Sequence, residues 1–296
     1  MQRKTAQDFD QELLILFDAY VHGTLDRRGF LEKAQKFAVG GVTATMLLGA
    51  LSPNFALGQQ VTPTDPRIAT ETLSYASPNG SGTVKGYLAR PANATGPLPA
   101  ILVVHENRGL NPHIEDIARR LALDNFVAFA PDALTPLGGY PGDEQKAVAL
   151  FAQLDQTKTA EDFVAAANFL KARPEAVGKI GVVGFCFGGG VAHILSTRLP
   201  DLGAAVPFYG NQPAASAASQ VKAPLLMHFA AVDERINASW PVYEAALKAA
   251  AVRYTAYQYP GTQHGFNNDT TPRYDAAAAK LAWERTLAFF NQNLRG

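Results

Sequence analysis

The sequence predicts an α/β fold, with a mostly parallel central sheet flanked by helices on both faces and a helical extension at the N-terminus. Short apolar, β-branched runs such as residues 100–104 and 180–183 alternate with longer segments of helical periodicity. These runs are apolar at consecutive positions, as expected for strands covered on both faces. With 296 residues, 47% of them hydrophobic, the chain has room for an extension (residues 1–60) and one large domain (residues 65–296).

Charge and cysteine content exclude several kinds of partner. Lys plus Arg and Asp plus Glu both total 26, so no basic excess favours nucleic acid, and there is no acidic tail. The single cysteine rules out an intramolecular disulfide, and it leaves no cysteine cluster that would bind zinc. We therefore expect a small-molecule ligand, no nucleic acid and no metal site.

The extension resembles a twin-arginine export signal. Residues 8–22 carry apolar side chains at helical spacing, which predicts a short amphipathic helix. The pair Arg27 and Arg28 follows, then an apolar stretch at 37–51 and a small-residue site at 56–58. The apolar stretch contains three glycines and is too short to span a bilayer, so membrane contact would be transient. This pattern predicts a periplasmic protein.

An alternative interpretation of the extension stays open. The first 36 residues hold six basic and six acidic groups, which cancels the positive charge usual at the start of an export signal. The segment would then be a helical arm retained in a cytoplasmic protein, packed on the domain or on a second subunit. The sequence leaves both a monomer and a homodimer possible.

The large domain begins with a predicted hairpin and continues as alternating strands and helices. Glycine, proline and asparagine at 78–82 separate two extended segments, 71–76 and 83–89. Ligands of parallel sheets bind at the carboxyl ends of the strands, where His105, Glu106, Asp132 and Asp233 are expected. Further strands are predicted at 100–104, 126–130, 180–183, 204–209, 224–229 and 254–259, and helices at 113–124, 143–154, 157–171, 191–199, 237–250 and 274–293.

One strand-to-helix junction has the form of a nucleophile elbow, with cysteine at the position of the nucleophile. Gly184 and Gly188 flank Cys186 at the spacing G-x-(nucleophile)-x-G. A sharp turn strains its central residue and needs small residues beside it. The start of a helix also favours a thiolate and a developing oxyanion. The alternative is a buried cysteine used only for packing, since a lone cysteine commonly behaves as a small hydrophobe.

Two later residues complete a possible triad. Asp233 follows one predicted strand and His264 follows the last, and the order nucleophile, acid, histidine is that of α/β-hydrolases. A thiol nucleophile needs a base, and the base needs an orienting carboxylate. Glu234 is the rival of Asp233, one residue further on. Of the other candidate histidines, His193 and His228 are expected to be packing residues, and His105 is expected to have a pocket or structural role.

From about residue 68 to its end, the chain resembles the dienelactone hydrolases, which are α/β-hydrolases with a cysteine nucleophile. The matching motifs span nearly the whole domain. They are Val104-His105-Glu106-Asn107-Arg108-Gly109-Leu110-Asn111, Ala130-Pro131-Asp132, Gly184-Phe185-Cys186-Phe187-Gly188-Gly189, Phe208-Tyr209-Gly210, Asp233 and His264-Gly265-Phe266.

This resemblance implies a role for each matching residue. Cys186 would be the nucleophile, His264 the general base and acid, and Asp233 the residue that orients His264. Glu106 would contact the resting thiol and keep it quiet until substrate displaces the carboxylate. Backbone N–H groups of Phe187 and of the Glu106–Asn107 turn would bind the oxyanion. The reaction implied is hydrolysis of an ester or lactone through an acyl-thioester, and it needs no cofactor.

The sequence departs from the family where the substrate carboxylate is held. Dienelactone hydrolases use arginines in the loop after Pro-Asp and after the catalytic histidine. This chain has no arginine from residue 121 to 172, and the first after His264 is Arg273. The ester or lactone class is therefore predicted, but carboxylated dienelactones are not. Candidate pocket residues are Arg108, Tyr140, Tyr209, Arg235 and Phe266.

Two other functions compete with hydrolysis. The domain could be a non-catalytic binding module with a hydrolase-like fold. Cys186 could instead be a periplasmic redox-sensing thiol, although the chain has no second cysteine to resolve an oxidised sulfur. Reactivity of Cys186 toward esters distinguishes hydrolysis from both alternatives.

Overall fold

Eight strands form one sheet in the order β1-β2-β4-β3-β5-β6-β7-β8, in a computed structural model that describes residues 4–295. Strand β2 pairs antiparallel with β1 and β4, and all the other pairs are parallel. The predicted fold class is confirmed. The strands are β1 (Ile68–Ser77), β2 (Gly82–Pro91), β3 (Ala100–Val104), β4 (Val127–Pro131), β5 (Gly181–Phe185), β6 (Ala204–Phe208), β7 (Leu225–Val232) and β8 (Tyr254–Gln263).

Helices cover both faces of the sheet and also form the N-terminal segment. In the segment they are α1 (Gln11–Val21), α2 (Arg27–Ala34), α3 (Ala44–Leu51) and α4 (Phe55–Gly58), with 3-10 turns at Ala6–Asp8 and Gln35–Phe37. In the domain they are α5 (Pro112–Leu123), α6 (Glu144–Phe151), α7 (Gln156–Lys171), α8 (Phe187–Arg198), α9 (Glu234–Asn237), α10 (Trp240–Ala249) and α11 (Ala276–Leu294). Two further 3-10 turns lie at Thr135–Leu137 and Ala215–Gln220.

The sequence patterns that predicted the strands correspond to burial. Every residue of β3, β4, β5 and β6 is buried, as the continuous apolar runs require. The predicted hairpin is β1 with β2, in a register that pairs Ile68 with Pro91 and Ser77 with Gly82. The helix predicted at 237–250 is α10, which begins at Trp240 and accommodates Pro241 in its first turn, where the missing N–H leaves no hydrogen bond unmade.

Three strands of the sheet end immediately before a predicted site residue. Strand β5 ends at Phe185, β7 ends at Val232 and β8 ends at Gln263, so the next residues are Cys186, Asp233 and His264. Because β5, β7 and β8 belong to the parallel part of the sheet, their carboxyl ends share one edge. The topology thus brings together residues that lie up to 78 positions apart (264 − 186).

Residues 4–60, here called the N-terminal arm, have a small hydrophobic core of their own. Leu13, Phe17, Phe30 and Leu48 are among its buried side chains. The apolar stretch at 37–51 is interrupted, because Gly40 and Gly41 have φ of 62° and 85° and α3 begins only at Ala44. Across residues 4–295, no helix combines the length and apolar character needed to cross a membrane.

The arm packs against the edge of the sheet where the strands end. The Asn54 N–H donates to the Thr270 carbonyl at 2.7 Å, and Arg120 donates to the Gly58 carbonyl at 3.0 Å. A Cβ added at Gly58 would lie 2.9 Å from the backbone of Asp269, so the end of the arm lies directly on the domain. At the end of α1, the Val21 carbonyl accepts from the side chains of Asn107 and Arg108, so α1 ends beside the loop that follows β3.

Candidate active site

The turn between β5 and α8 holds Cys186 in a backbone conformation that side chains rarely adopt, with φ 55° and ψ −111°. The flanking glycines make this turn possible. A Cβ at Gly184 would lie 1.9 Å from the Gly188 carbonyl oxygen, and a Cβ at Gly188 would lie 2.3 Å from the Val104 oxygen. The turn is anchored by the Cys186 N–H, which donates to the Phe208 carbonyl at 3.0 Å. This geometry is that of a nucleophile elbow.

Two residues that line a cavity together with Cys186, namely Asn107 and Phe187, have backbone N–H groups without a partner in the described chain. Phe187 is the first residue of α8, where N–H groups have no partner within the helix. Among the described residues, neither the Phe187 N–H nor the Asn107 N–H donates a hydrogen bond. Free N–H groups at the start of a helix can stabilise the negative charge of a tetrahedral intermediate.

His264 and Asp233 are paired. The His264 Nδ1 donates to Asp233 Oδ2 at 2.6 Å, and both residues are buried. This bond leaves Nε2 as the ring nitrogen available to a reacting group. Nε2 makes no hydrogen bond within the described chain, and the ring lies near Cys186, with ligand atoms within 4.8 Å. Glu234, the sequence rival, begins helix α9 and is exposed.

A second histidine, from the arm, contacts the thiol. His22 Nε2 is 3.3 Å from Cys186 Sγ, and the His22 and His264 rings meet edge-on with centroids 4.7 Å apart. The His22 Nδ1 donates to the Asp18 carbonyl at 2.8 Å and lies 3.3 Å from Asp18 Oδ2. Sequence reasoning missed both residues. Their only signal is the spacing of four, which puts Asp18 and His22 on one helix face.

The two imidazoles change the acidity of the thiol. Burial alone would raise the pKa of Cys186, but His264 and His22 lower it to about 6. Burial would lower the pKa of His264, whereas the Cys186 thiolate and Asp233 raise it to about 10. The pKa of His22 is also raised, because Cys186 and Asp18 outweigh its burial. The lowered pKa of Cys186 and the raised pKa of His264 favour a thiolate beside an imidazolium at neutral pH, and the shift of His22 is in the direction of its charged form.

Glu106 lies at the end of β3 but is occupied by other partners. Its Oε2 accepts from Asn268 Nδ2 at 2.8 Å, and its Oε1 lies 3.5 Å from the Tyr209 hydroxyl. No hydrogen bond joins Glu106 to Cys186 among the described residues. The contact to the thiol that the resemblance assigns to Glu106 is made in this structure by His22.

Three arginines surround the thiol, although the sequence lacks the family's usual pair. Arg108 Nε is 3.4 Å from Glu144 Oε2, and Arg273 Nη1 is 3.1 Å from Asp18 Oδ1. Arg235 Nη2 lies 3.1 Å from His22 Nε2 and 3.4 Å from His264 Nδ1. Arg273, which lies nine residues after His264 in sequence, lines the same cavity as Cys186 and contacts Asp18 and Phe17 of α1.

Of the other residues predicted to line the substrate pocket, one lines a cavity that contains Cys186 and two do not. Tyr209 lines the pocket, with its ring centroid 5.0 Å from that of His264. Phe266 is buried in the core against Tyr209 and Tyr259, and does not line the cavities that contain Cys186. Tyr140 also lies outside those cavities, and its hydroxyl donates to Glu144 at 2.8 Å.

The three other histidines have structural environments. His105 Nε2 accepts from the Ala133 N–H at 3.1 Å, and His228 bonds to Tyr259 and Thr286. His193 is buried against Tyr243. Burial lowers the pKa of His193 and of His228 to about 3, so both are neutral at neutral pH. These environments agree with the packing roles predicted from the sequence.

The arm closes the space around Cys186. One cavity of about 50 Å³ and one of about 240 Å³ both reach Cys186, and His22 and Val21 line each of them. The ligand atoms of His22, Cys186 and His264 lie within 4.8 Å of one another, a spacing that zinc could bridge. The guanidinium of Arg235, 3.1 Å from His22 Nε2, makes the same position unfavourable for a divalent cation.

Comparisons with known proteins match both parts of the chain. Residues 84–294 match the sequence model of the dienelactone hydrolase family, and residues 1–39 match a separate one described as YqhI-like. In Escherichia coli (strain K12), a "Putative carboxymethylenebutenolidase" is 32% identical over 246 residues, covering 78% of this chain and 89% of that protein. From the same organism, the "Putative hydrolase fragment YghX" is 53% identical over 116 residues, covering 39% of this chain and 99% of the fragment.

A solved structure has the same fold. The crystal structure of a "Putative Dienelactone Hydrolase" from Klebsiella pneumoniae subsp. pneumoniae MGH 78578 aligns with a TM-score of 0.66 and 29% identity. The alignment covers 76% of this chain and 99% of that chain. The family match at 84–294 covers most of the chain and includes the elbow, Asp233 and His264. The chain therefore belongs to the dienelactone hydrolase family of α/β-hydrolases, and is a hydrolase.

Proposed function

We propose that the protein hydrolyses a carboxylic ester or lactone through an acyl-thioester on Cys186. The observation that carries the proposal is the convergence of Cys186, Asp233 and His264, each the first residue after a strand of the sheet. The hydrogen bond between Asp233 and His264 fixes the imidazole. A nucleophile, a proton carrier and an orienting carboxylate are the groups that covalent acyl transfer requires.

The chemistry follows from these positions. The Cys186 thiolate attacks the carbonyl carbon, a C–S bond forms, and the oxyanion accepts hydrogen bonds from the free N–H groups of Phe187 and Asn107. Collapse breaks the C–O bond while His264 donates its proton to the departing alkoxide. Water then gives a proton to His264 as its oxygen attacks the thioester. Cleavage of the C–S bond releases the acid and restores the thiolate.

The acyl-thioester gives a direct test. Excess enzyme mixed briefly with p-nitrophenyl acetate and quenched in acid should carry one acetyl group on Cys186, located by peptide mass spectrometry. Neutral hydroxylamine should remove it, because thioesters are cleaved under conditions that spare oxygen esters. The matched control is Cys186→Ser, whose acetyl group should resist the same treatment. An unmodified Cys186 during turnover, or no turnover at all, would contradict the proposal and favour a non-catalytic binding module.

The charges around the thiol favour an uncharged acyl group. Arg108 is paired with Glu144, and Arg273 and Arg235 both lie near Asp18, at 3.1 and 3.8 Å. A substrate carboxylate would have to compete with these acidic residues for its cation, and a buried charge without a partner is costly. We therefore propose a neutral ester or lactone as the substrate.

A pair of substrates of similar size tests the preference for a neutral acyl group. Methyl butyrate should be hydrolysed with a kcat/KM at least about tenfold higher than that of monomethyl succinate, a difference of about 1.4 kcal/mol. Acid release in a pH-stat measures both. Equal rates, or a preference for monomethyl succinate, would show that an arginine is released to the substrate.

The location of the protein is a separate proposal. Export by the twin-arginine route predicts a periplasmic protein without residues before the 56–58 site. The contacts of the arm with Thr270, Arg120 and Cys186 support the alternative, an arm retained in the mature chain. N-terminal sequencing of the protein from periplasmic and cytosolic fractions distinguishes the two.

A further inference from the structure

The arm brings His22 to the sulfur through a set of anchored contacts. The carbonyl of Val21 accepts from the side chains of Asn107 and Arg108, beside the expected oxyanion site. Asp18, one helical turn before His22, pairs with Arg273. Because Val21 and Asp18 are both held by contacts with the domain, the imidazole of His22 is held in place.

The orientation of the ring suits contact with a thiolate. The Nδ1 of His22 donates to the Asp18 carbonyl, which leaves Nε2 3.3 Å from Sγ and 3.1 Å from Arg235 Nη2. On the domain, the Asp233 carboxylate accepts from His264 Nδ1 and leaves Nε2 for the reaction, whereas on the arm the acceptor is the Asp18 main-chain carbonyl, with the Asp18 carboxylate 3.3 Å from the same nitrogen. Cys186 thus has two imidazoles, each oriented by its own aspartate.

We propose that His22 is a fourth catalytic residue, which accepts the thiol proton of Cys186 and stays beside the sulfur as an imidazolium. This inference rests on the proposed function, because it concerns the same nucleophile. It differs from the family's pattern, in which the resting thiol contacts a glutamate, since Glu106 here is bound to Asn268 and Tyr209.

The proton balance assigns different tasks to the two histidines. In the resting enzyme the S–H bond of Cys186 breaks, its proton passes to His22 Nε2, and the electron pair stays on sulfur. His264 keeps its own proton for the departing alkoxide and recovers it from the attacking water. When the thioester breaks, the returning thiolate lies next to the charged His22. The sum is ester plus water giving acid plus alcohol.

The surrounding charges allow two imidazolium rings at this position. The thiolate, Asp18 and Asp233 offset the positive charges of His22, His264 and Arg235. The other titratable or charged groups that face the sulfur and the two rings come from the arm, the β3 loop, α6, β6 and the loop after β8. They are Tyr20, Glu106, Arg108, Glu144, Tyr209 and Arg273.

The reactivity of Cys186 toward iodoacetamide measures the effect of His22 without requiring ester turnover. In the full-length protein, His22→Gln should move the midpoint of the alkylation rate against pH upward by about one unit or more, because an adjacent positive charge is lost. At pH values below the wild-type midpoint, alkylation of the variant should then be about tenfold slower for each pH unit by which its midpoint has moved upward. Above both midpoints the variant should react as fast or faster, since a more basic thiolate is more nucleophilic.

Two further variants separate the proposed role from damage to the fold. Asp18→Asn keeps the imidazole but removes its carboxylate, and should give a smaller upward shift. Glu32→Gln removes a charge from an exposed position of the arm and should leave the profile unchanged. Thermal unfolding of each variant, followed by circular dichroism, monitors the fold. A His22→Gln profile that superimposes on those of the wild type and Glu32→Gln would overturn the inference.

The outcomes distinguish this inference from the proposed function. A shifted alkylation profile in a protein that hydrolyses no ester supports the role of His22 at the thiol and rejects the hydrolytic mechanism. An unshifted profile in an enzyme that forms the acyl-thioester retains the triad and rejects His22. Ester hydrolysis by His22→Gln should lose rate chiefly in kcat at low pH, and a change confined to KM would also contradict a catalytic role.

Discussion

Replacement of Cys186 by alanine is expected to lower kcat/KM for ester hydrolysis by about 10⁴-fold or more, because no other group at the elbow can form the acyl intermediate. Alanine retains a Cβ, so it adds no steric demand at φ 55°. The measurement is initial rates on a panel of esters and lactones, with the thermal unfolding midpoint as the check on folding. The rate that remains should reflect binding and the backbone N–H groups alone.

Cys186→Ser separates the nucleophile from its surroundings. Serine preserves the shape of the side chain, but its hydroxyl is much harder to ionise than a thiol whose pKa is about 6. We expect it to be slower than the wild type but faster than Cys186→Ala. Equal rates for the wild type and Cys186→Ala would reject hydrolysis through this residue.

Loss of His264 should be the next largest effect. His264→Ala removes the proton donor to the alkoxide and the acceptor from water, and a drop in kcat of about 10³-fold is expected. It should also move the pH dependence. The pKa of Cys186 is lowered by His264 and His22, so activity present above about pH 6 should shift to higher pH when one imidazole is removed.

The chain offers a matched control for that variant. His193 is another buried histidine, on α8, but it packs on Tyr243 and is neutral at neutral pH. His193→Leu is expected to keep kcat near that of the wild type. The kcat of Asp233→Asn should lie between those of His264→Ala and His193→Leu, since the His264 ring remains but loses the carboxylate that orients it. A His264→Ala enzyme with wild-type kcat would show that another base serves the reaction.

The central part of the site follows from local sequence patterns, which explains why it could be predicted. Buried parallel strands are continuous apolar runs, and the residue after each run lies at the ligand-binding edge. Cys186, Asp233 and His264 all occupy that position. The elbow adds a second local rule, because only glycine fits at positions 184 and 188.

The contribution of the arm could not be predicted in this way. His22 lies 164 positions before Cys186, and no periodicity links a surface helix to a turn so distant in sequence. Asp18 on α1 and His22 immediately after it look like an ordinary pair of polar residues one turn apart. The contact of Arg273 with Asp18 could not be predicted for the same reason, because it joins two segments that are far apart in sequence. Such contacts depend on how the N-terminal arm packs on the large domain, and local sequence patterns in either part do not specify that packing.

The position of His22 also connects the maturation of the protein to its chemistry. Removal of the chain before the small-residue site at 56–58 would remove Asp18 and His22 together, along with the carbonyl of Val21 that binds Asn107 and Arg108. A processed enzyme would then have a three-residue site with a less acidic thiol, and an unprocessed enzyme a four-residue site. The mass of the mature polypeptide would show whether the arm is retained. It would therefore also indicate whether Cys186 has the lower pKa that His22 contributes to.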